Sequence, residues 1–272
     1  MPSSFEFRAF RCLRAELGEL DCYSECIEIA IRQLVDNALK SGSPVSHIQE
    51  LSRKFSVRVD DIDVASLPVH VCQLYLVTVH QQFERFLADL SKEYGTAKIW
   101  SKTSKESWLT SVLRNIGPDV DTAKSRVGEL PVLVVEYYRG VRNKFAHPDF
   151  DAARFSKNLP RIRMAMPASK YAKLSAPNTY NEVTFDDFIL FSRAVKDSAL
   201  GISKLCQPTP AEIAQMLTEV DEDEGFSFVS LKQKKASSRI RTATLASLRH
   251  LYGLSEAEGL EVVDILLSGA LA

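Results

Sequence analysis

Leu130-Pro131-Val132-Leu133-Val134-Val135-Glu136-Tyr137-Tyr138-Arg139-Gly140-Val141-Arg142-Asn143-Lys144-Phe145-Ala146-His147-Pro148 is the stretch whose reading decides the fold. Val132, Leu133, Val135, Val141, Phe145 and Ala146 recur at the spacing of a helix with a buried side. Arg139, Asn143 and His147 follow one another at four-residue steps along a polar stripe, with Glu136 at the preceding turn. Pro131 suits a first turn, where its missing N–H is not needed. Pro148 closes the helix, since a residue before proline is pushed out of the α region. The pattern predicts a helix over 130–146 with His147 at its C-terminus. Arg142 lies on a neighbouring face, yet its side chain is long enough to swing toward the histidine. A polar stripe on a helix is most simply a solvent face. This one also sets an obligate cation and a titratable imidazole within six positions.

The same periodicity extends in both directions. Residues 68–94 form the longest apolar helical pattern, with Pro68 at its start and Gly95 at its end, and residues 105–116 form a second, stopped by Gly117-Pro118. Upstream, residues 20–39 carry a stripe of Ile27, Ala30, Ile31, Leu34, Val35 and Ala38, ended by Ser41-Gly42-Ser43-Pro44. A shorter amphipathic segment spans 47–55, with the flavour of the first half of a helix-turn-helix. Downstream, residues 149–182 lose periodicity. They hold Pro160, Pro167 and Pro177, the cations Arg154, Lys157, Arg161, Arg163, Lys170 and Lys173, and Phe155, Tyr171 and Tyr180, and so read as a basic, aromatic-dotted loop. Thr184-Phe185-Asp186-Asp187 is a capping box with aspartate in place of glutamate, opening a helix that continues to Cys206. After the linker Gln207-Pro208-Thr209-Pro210 come a short helix at 211–217, an acidic run at 221–224, a candidate strand at 226–231, a basic run at 232–235 and helices near 245–252 and 255–267.

The expected architecture is all-α: a helical bundle over 68–206, a helical N-terminal extension over 1–67 and a small mixed extension over 207–272. The 272 residues carry 34 Lys and Arg against 35 Asp and Glu, so no global field recruits nucleic acid and any such contact must come from local basic patches. No window has the apolar length of a membrane span, and the N-terminus lacks a signal-peptide layout, so the chain reads as soluble and cytoplasmic. Five scattered cysteines read as reduced core thiols. Cys22 and Cys26 lie one turn apart, but no second Cys/His pair with ligand spacing follows. A structural zinc site needs four ligands, so neither metal nor cofactor is expected.

The chemistry suggested by 139–147 is phosphodiester chemistry. Arginine stays charged and grips two phosphate oxygens, which suits Arg142 to charge building on a pentacoordinate phosphorus. The negative end of the helix favours the imidazolium form of His147, as a general acid requires. Asn143 can orient the phosphate or the attacking hydroxyl. Arg142-Asn143-x-x-x-His147 at a helix C-terminus resembles the Arg-x(4–6)-His signature of HEPN domains in its Arg-Asn form. The likeness extends to the long helix with Phe83-Glu84-x-Phe86, the second helix, the irregular connection and the helix entered at 183–187, and it covers about residues 68–206.

The resemblance implies a bundle that dimerises so that the signature helices of two copies face a shared cleft. It further implies a metal-independent endoribonuclease, in which the RNA 2′-hydroxyl attacks the adjacent phosphate to leave a 2′,3′-cyclic phosphate and a 5′-hydroxyl. Arg142 and His147 would be catalytic, with Asn143, Arg139 and Glu84 supporting. Lys144, Arg161, Arg163 and Tyr171 would contact RNA, Tyr171 by stacking on a base. The expected setting is a toxin or phage-defence effector acting on cellular RNA such as tRNA and restrained by an antitoxin or partner protein. Members silenced by adenylylation carry tyrosine two positions after the histidine. Asp149 stands there in this chain, so that mode of control does not carry over. His80 and Glu84, one turn apart, read as a base with its orienter or as a half-buried hydrogen-bonded pair. Two other readings compete: a non-catalytic HEPN module that dimerises or binds nucleotide or RNA, and a DNA-binding regulator using the short helices near 47–55 or 245–267.

Overall fold

The computed structural model describes residues 5–95, 100–101, 103, 106–147, 149–219 and 237–268, and among them no strand occurs. The helices are α1 (Arg8–Lys40), α2 (Pro44–Phe55), α3 (Leu67–Gly95), α4 (Trp108–Ile116), α5 (Val120–Val127), α6 (Glu129–Ala146), α7 (Ala153–Ser156), α8 (Leu159–Ala165), α9 (Phe185–Leu205), α10 (Pro210–Glu219), α11 (Ser237–Tyr252) and α12 (Glu256–Ser268). The chain is therefore all-α over these residues, and none of these helices is long and apolar enough to cross a membrane. The candidate strand at 226–231 and the charged runs beside it lie outside the described residues.

Two compact units emerge, one of Met1–Arg14, Phe83–Gly128 and Ser198–Ala272, the other of Ala15–Gln82 and Glu129–Asp197. This division differs from the boundaries at 67 and 206 read from the sequence, because α1, α3 and α9 each contribute to both units.

In the second unit α6 is the central element. Val132, Leu133, Val134, Val135, Tyr137, Tyr138, Gly140 and Val141 are all buried, which leaves only a narrow stripe of the helix open. A buried carboxylate organises its surroundings. Asp187, fully shielded from solvent, accepts hydrogen bonds from the Tyr138 hydroxyl (2.6 Å), the Asn178 amide N–H (2.8 Å) and side-chain Nδ2 (2.8 Å), and the Thr184 N–H (2.8 Å) and hydroxyl (3.0 Å). The Thr184–Asp187 contacts form one arm of the capping box that opens α9. The Tyr137 hydroxyl donates to the Asn178 carbonyl, and Arg163 donates through Nε (3.1 Å) and Nη2 (3.0 Å) to that of Pro177.

The expected loop over 149–182 is partly helical, a correction with a clear cause. Phe155, Leu159, Ile162 and Met166 are buried at helical spacing, while Pro160 and Pro167 sit in first-turn positions that tolerate them. A separate cluster of Ala38, Ile48 and Val64, with Leu34, Val35, Val59 and Ile62 packed on it, ties α2 to the end of α1.

In the first unit the N-terminus of α1 is capped by a carboxylate from far along the chain. Glu93 accepts the N–H groups of Arg8 (2.9 Å) and Ala9 (3.0 Å), donors that a helix start otherwise leaves unpaired. Just before the helix, the Glu6 N–H donates to the Tyr252 carbonyl (2.8 Å) and Phe5 stacks on the Tyr252 ring at 5.3 Å. The short α5, not expected from the sequence, is N-capped by Asp119, which accepts the Thr122 N–H at 2.8 Å. The cysteines also depart from expectation: Cys72 and Cys206 are buried, but Cys12, Cys22 and Cys26 lie exposed, and all five are free thiols.

Gly140 is required by packing. A Cβ built there would lie 2.3 Å from the Cβ of Phe155, so α7 presses on α6 where only glycine leaves room. At Gly18, inside α1, an added Cβ meets nothing within 4 Å. Chemical denaturation should therefore show Gly140→Ala losing about 1–3 kcal/mol to overpacking, and Gly18→Ala gaining about 0.5–1 kcal/mol from helix propensity. Equal effects of the two variants would refute the contact.

Candidate functional site

The open stripe of α6 carries Glu136, Arg139, Arg142 and Asn143, all half-buried, and leads to His147, which is exposed just beyond the last turn. The chain stays helical in its hydrogen bonding up to this point, since the His147 N–H donates to the Asn143 carbonyl at 2.8 Å. The His147 carbonyl then accepts from the Phe150 N–H at 2.8 Å as the chain turns away. Of the side chains expected to be buried, Phe145 is only half-buried and Ala146 is exposed, because the core thins where the helix ends.

Neither guanidinium has a carboxylate partner among the described residues. Arg142 donates from Nη1 to the Asn143 side-chain oxygen at 3.1 Å, and Arg139 makes no hydrogen bond or ion pair with another described residue. The Nε of each arginine is buried and unsatisfied. Other cations of the same unit have fixed acceptors: Lys196 pairs with Asp21, Lys170 with Asp197 and Arg161 with Glu129, and Arg53 and Arg163 bond backbone carbonyls. A buried, unmatched guanidinium N–H costs roughly 1–3 kcal/mol.

His80 completes the electrostatics. It sits on α3, 3 % exposed, where burial pushes its imidazole down to about 4, with the charges of Arg142 and Arg139 adding to the effect. His80 is thus a neutral neighbour of two cations at ordinary pH. The sequence offered it as a partner of Glu84, and nothing in a one-dimensional pattern revealed that α3 brings it to α6. Glu84 is half-buried farther along α3, in the first unit.

The residues expected to contact RNA divide. Tyr171 is 1 % exposed and its hydroxyl donates to Asp197, so the ring is core and not free to stack on a base; burial and this bond raise its pKa. Arg163 is committed to the Pro177 carbonyl and Arg161 to Glu129, although both side chains remain largely exposed. Lys144 is half-buried in the last turn of α6. Among the described residues no three metal-ligating side chains come together.

The depressed His80 predicts a pH dependence with a definite sign. As pH falls below 6.5 the unfolded chain takes up a proton that native His80 refuses until about 4. Its contribution is intact above 6.5 and declines toward 4, by about 3 kcal/mol in all. Denaturation of wild type and His80→Gln across this range should give stabilities that converge as pH drops; parallel curves would mean that the native imidazole is not held neutral.

No protein-family model, curated protein or solved structure matches the chain, so function must be argued from these side chains.

Proposed function

We propose that the chain is a metal-independent endoribonuclease of HEPN type, working as a homodimer in which the α6 ends of two copies meet on an RNA strand. The observation that carries this reading is the half-buried Arg142, unmatched by any carboxylate and hydrogen-bonded to Asn143, on the helix that ends at the exposed His147. A guanidinium in this state is short of an acceptor, and phosphate oxygens supply two in the geometry it prefers.

In the proposed reaction the ribose 2′-oxygen attacks the adjacent phosphorus and loses its proton to a neutral imidazole. Negative charge collects on the equatorial oxygens, which Arg142 stabilises, and Asn143 holds the guanidinium in register. The bond from phosphorus to the 5′-oxygen breaks as an imidazolium protonates that oxygen, leaving a 2′,3′-cyclic phosphate and a 5′-hydroxyl. Two copies of His147, one neutral and one protonated, serve these steps. The nucleophile is internal to the substrate, so positioning, proton transfer and charge stabilisation suffice.

Incubation of purified full-length chain with end-labelled cellular RNA, tRNA included, in excess EDTA is the test. Cleavage with cyclic-phosphate ends is expected, reduced by about 10²–10⁴ in Arg142→Ala and in His147→Ala, the range for loss of a general acid or a charge-stabilising group. Cleavage abolished by EDTA and restored by a divalent ion would overturn the mechanism. A stable dimer without cleavage would make the chain a binding module.

A further inference from the structure

Arg139 remains unexplained by a reaction centred on Arg142 and His147. It lies three residues before Arg142, so the two share a helix face with about 5–6 Å between their Cβ atoms. Both side chains are half-buried, both have a buried Nε with no acceptor, and neither has a carboxylate in a chain that holds 35. Like charges on one helix face repel one another. A structural arginine would have a fixed acceptor, as Arg163 has in the Pro177 carbonyl and Arg114 in Glu106. One phosphate on Arg142 answers only part of the deficit.

We propose that Arg139 is a second phosphate-binding residue, gripping the phosphate next to the scissile one, so that α6 recognises a strand segment with two successive phosphates, one for each arginine. This rests on the reading of α6 as an RNA site and assigns Arg139 a positioning role. The arginines are spaced along the helix much as phosphates are spaced along an extended strand. The neutral His80 beneath them adds no third charge to be matched. Each grip offers two parallel N–H donors, which fixes the direction of the strand as well as its charge.

The test uses 2′-O-methyl oligouridylates, which cannot be cleaved: a dinucleotide with one phosphate and a trinucleotide with two, titrated onto full-length protein by calorimetry or NMR. Wild type should bind the trinucleotide about tenfold more tightly, the scale of a charge-assisted hydrogen bond. Arg139→Met should erase that advantage, leave dinucleotide binding within about twofold and lower the salt slope for the trinucleotide by about 0.7, one contact on a single strand. It should also melt no lower than wild type, since removing an unmatched cation relieves repulsion.

Equal weakening of both probes, an unchanged trinucleotide advantage, no binding of either probe, or a lower melting temperature with uniformly poor binding would overturn the assignment. Trinucleotide preference lost in Arg139→Met, in a protein that cuts no RNA, keeps the assignment and removes the nuclease reading. RNA cleavage by a protein whose probe preference ignores Arg139 does the reverse.

Discussion

A carboxylate removed from water must be matched by donors, and Asp187 imposes that constraint on the unit that carries the site. Uncompensated, such a charge costs several kcal/mol, so the groups that answer it are held in place as firmly as the charge itself. They come from three places: Tyr138 on α6, the backbone and side chain of Asn178, and Thr184 at the start of α9. The rotation of α6 about its axis is thereby fixed. Tyr138 points inward at Asp187, and the stripe of Arg139, Arg142 and Asn143 takes the remaining direction. Burial and this hydrogen bond drive the Tyr138 pKa well upward, so the phenol stays a donor at any ordinary pH.

The two sets of polar groups in this unit differ in kind. Around Asp187 every acceptor has its donors, and the result is a rigid frame. On the stripe Arg139 and Arg142 have no carboxylate partner among the described residues. Residues that select a ligand are commonly expensive to the free protein, because what satisfies them arrives from outside. Gly140 belongs to the frame, since its missing side chain lets Phe155 close against the buried face of α6.

Much of this was legible in one dimension because it depends on local rules. The α6 boundaries follow from Pro131 and Pro148, and the opening of α9 follows from Thr184 and Asp187, whose carboxylate accepts the Thr184 N–H three residues back. What escaped notice depends on distant partners. Tyr171 looks like a surface aromatic in a proline-rich stretch until Asp197 is brought to its hydroxyl. His80 reads in sequence as half of an i, i+4 pair with Glu84, and that pattern does not reveal the nearby charges of Arg139 and Arg142 on α6. The helical period of 153–166 was masked by prolines that break helices in the middle and begin them at the start. In α5 eight residues are too few for periodicity to show, and only the Asp119 cap marks the beginning.

The stitch between Glu6 and Tyr252 bears on how the protein is made. A chain emerging from the ribosome has every residue of the second unit in hand once Asp197 is synthesised, whereas the first must wait for α11 before its opening segment finds its acceptor. The arginine-bearing framework is complete early, while the residues just before α1 gain their Tyr252 contact only once α11 has been made.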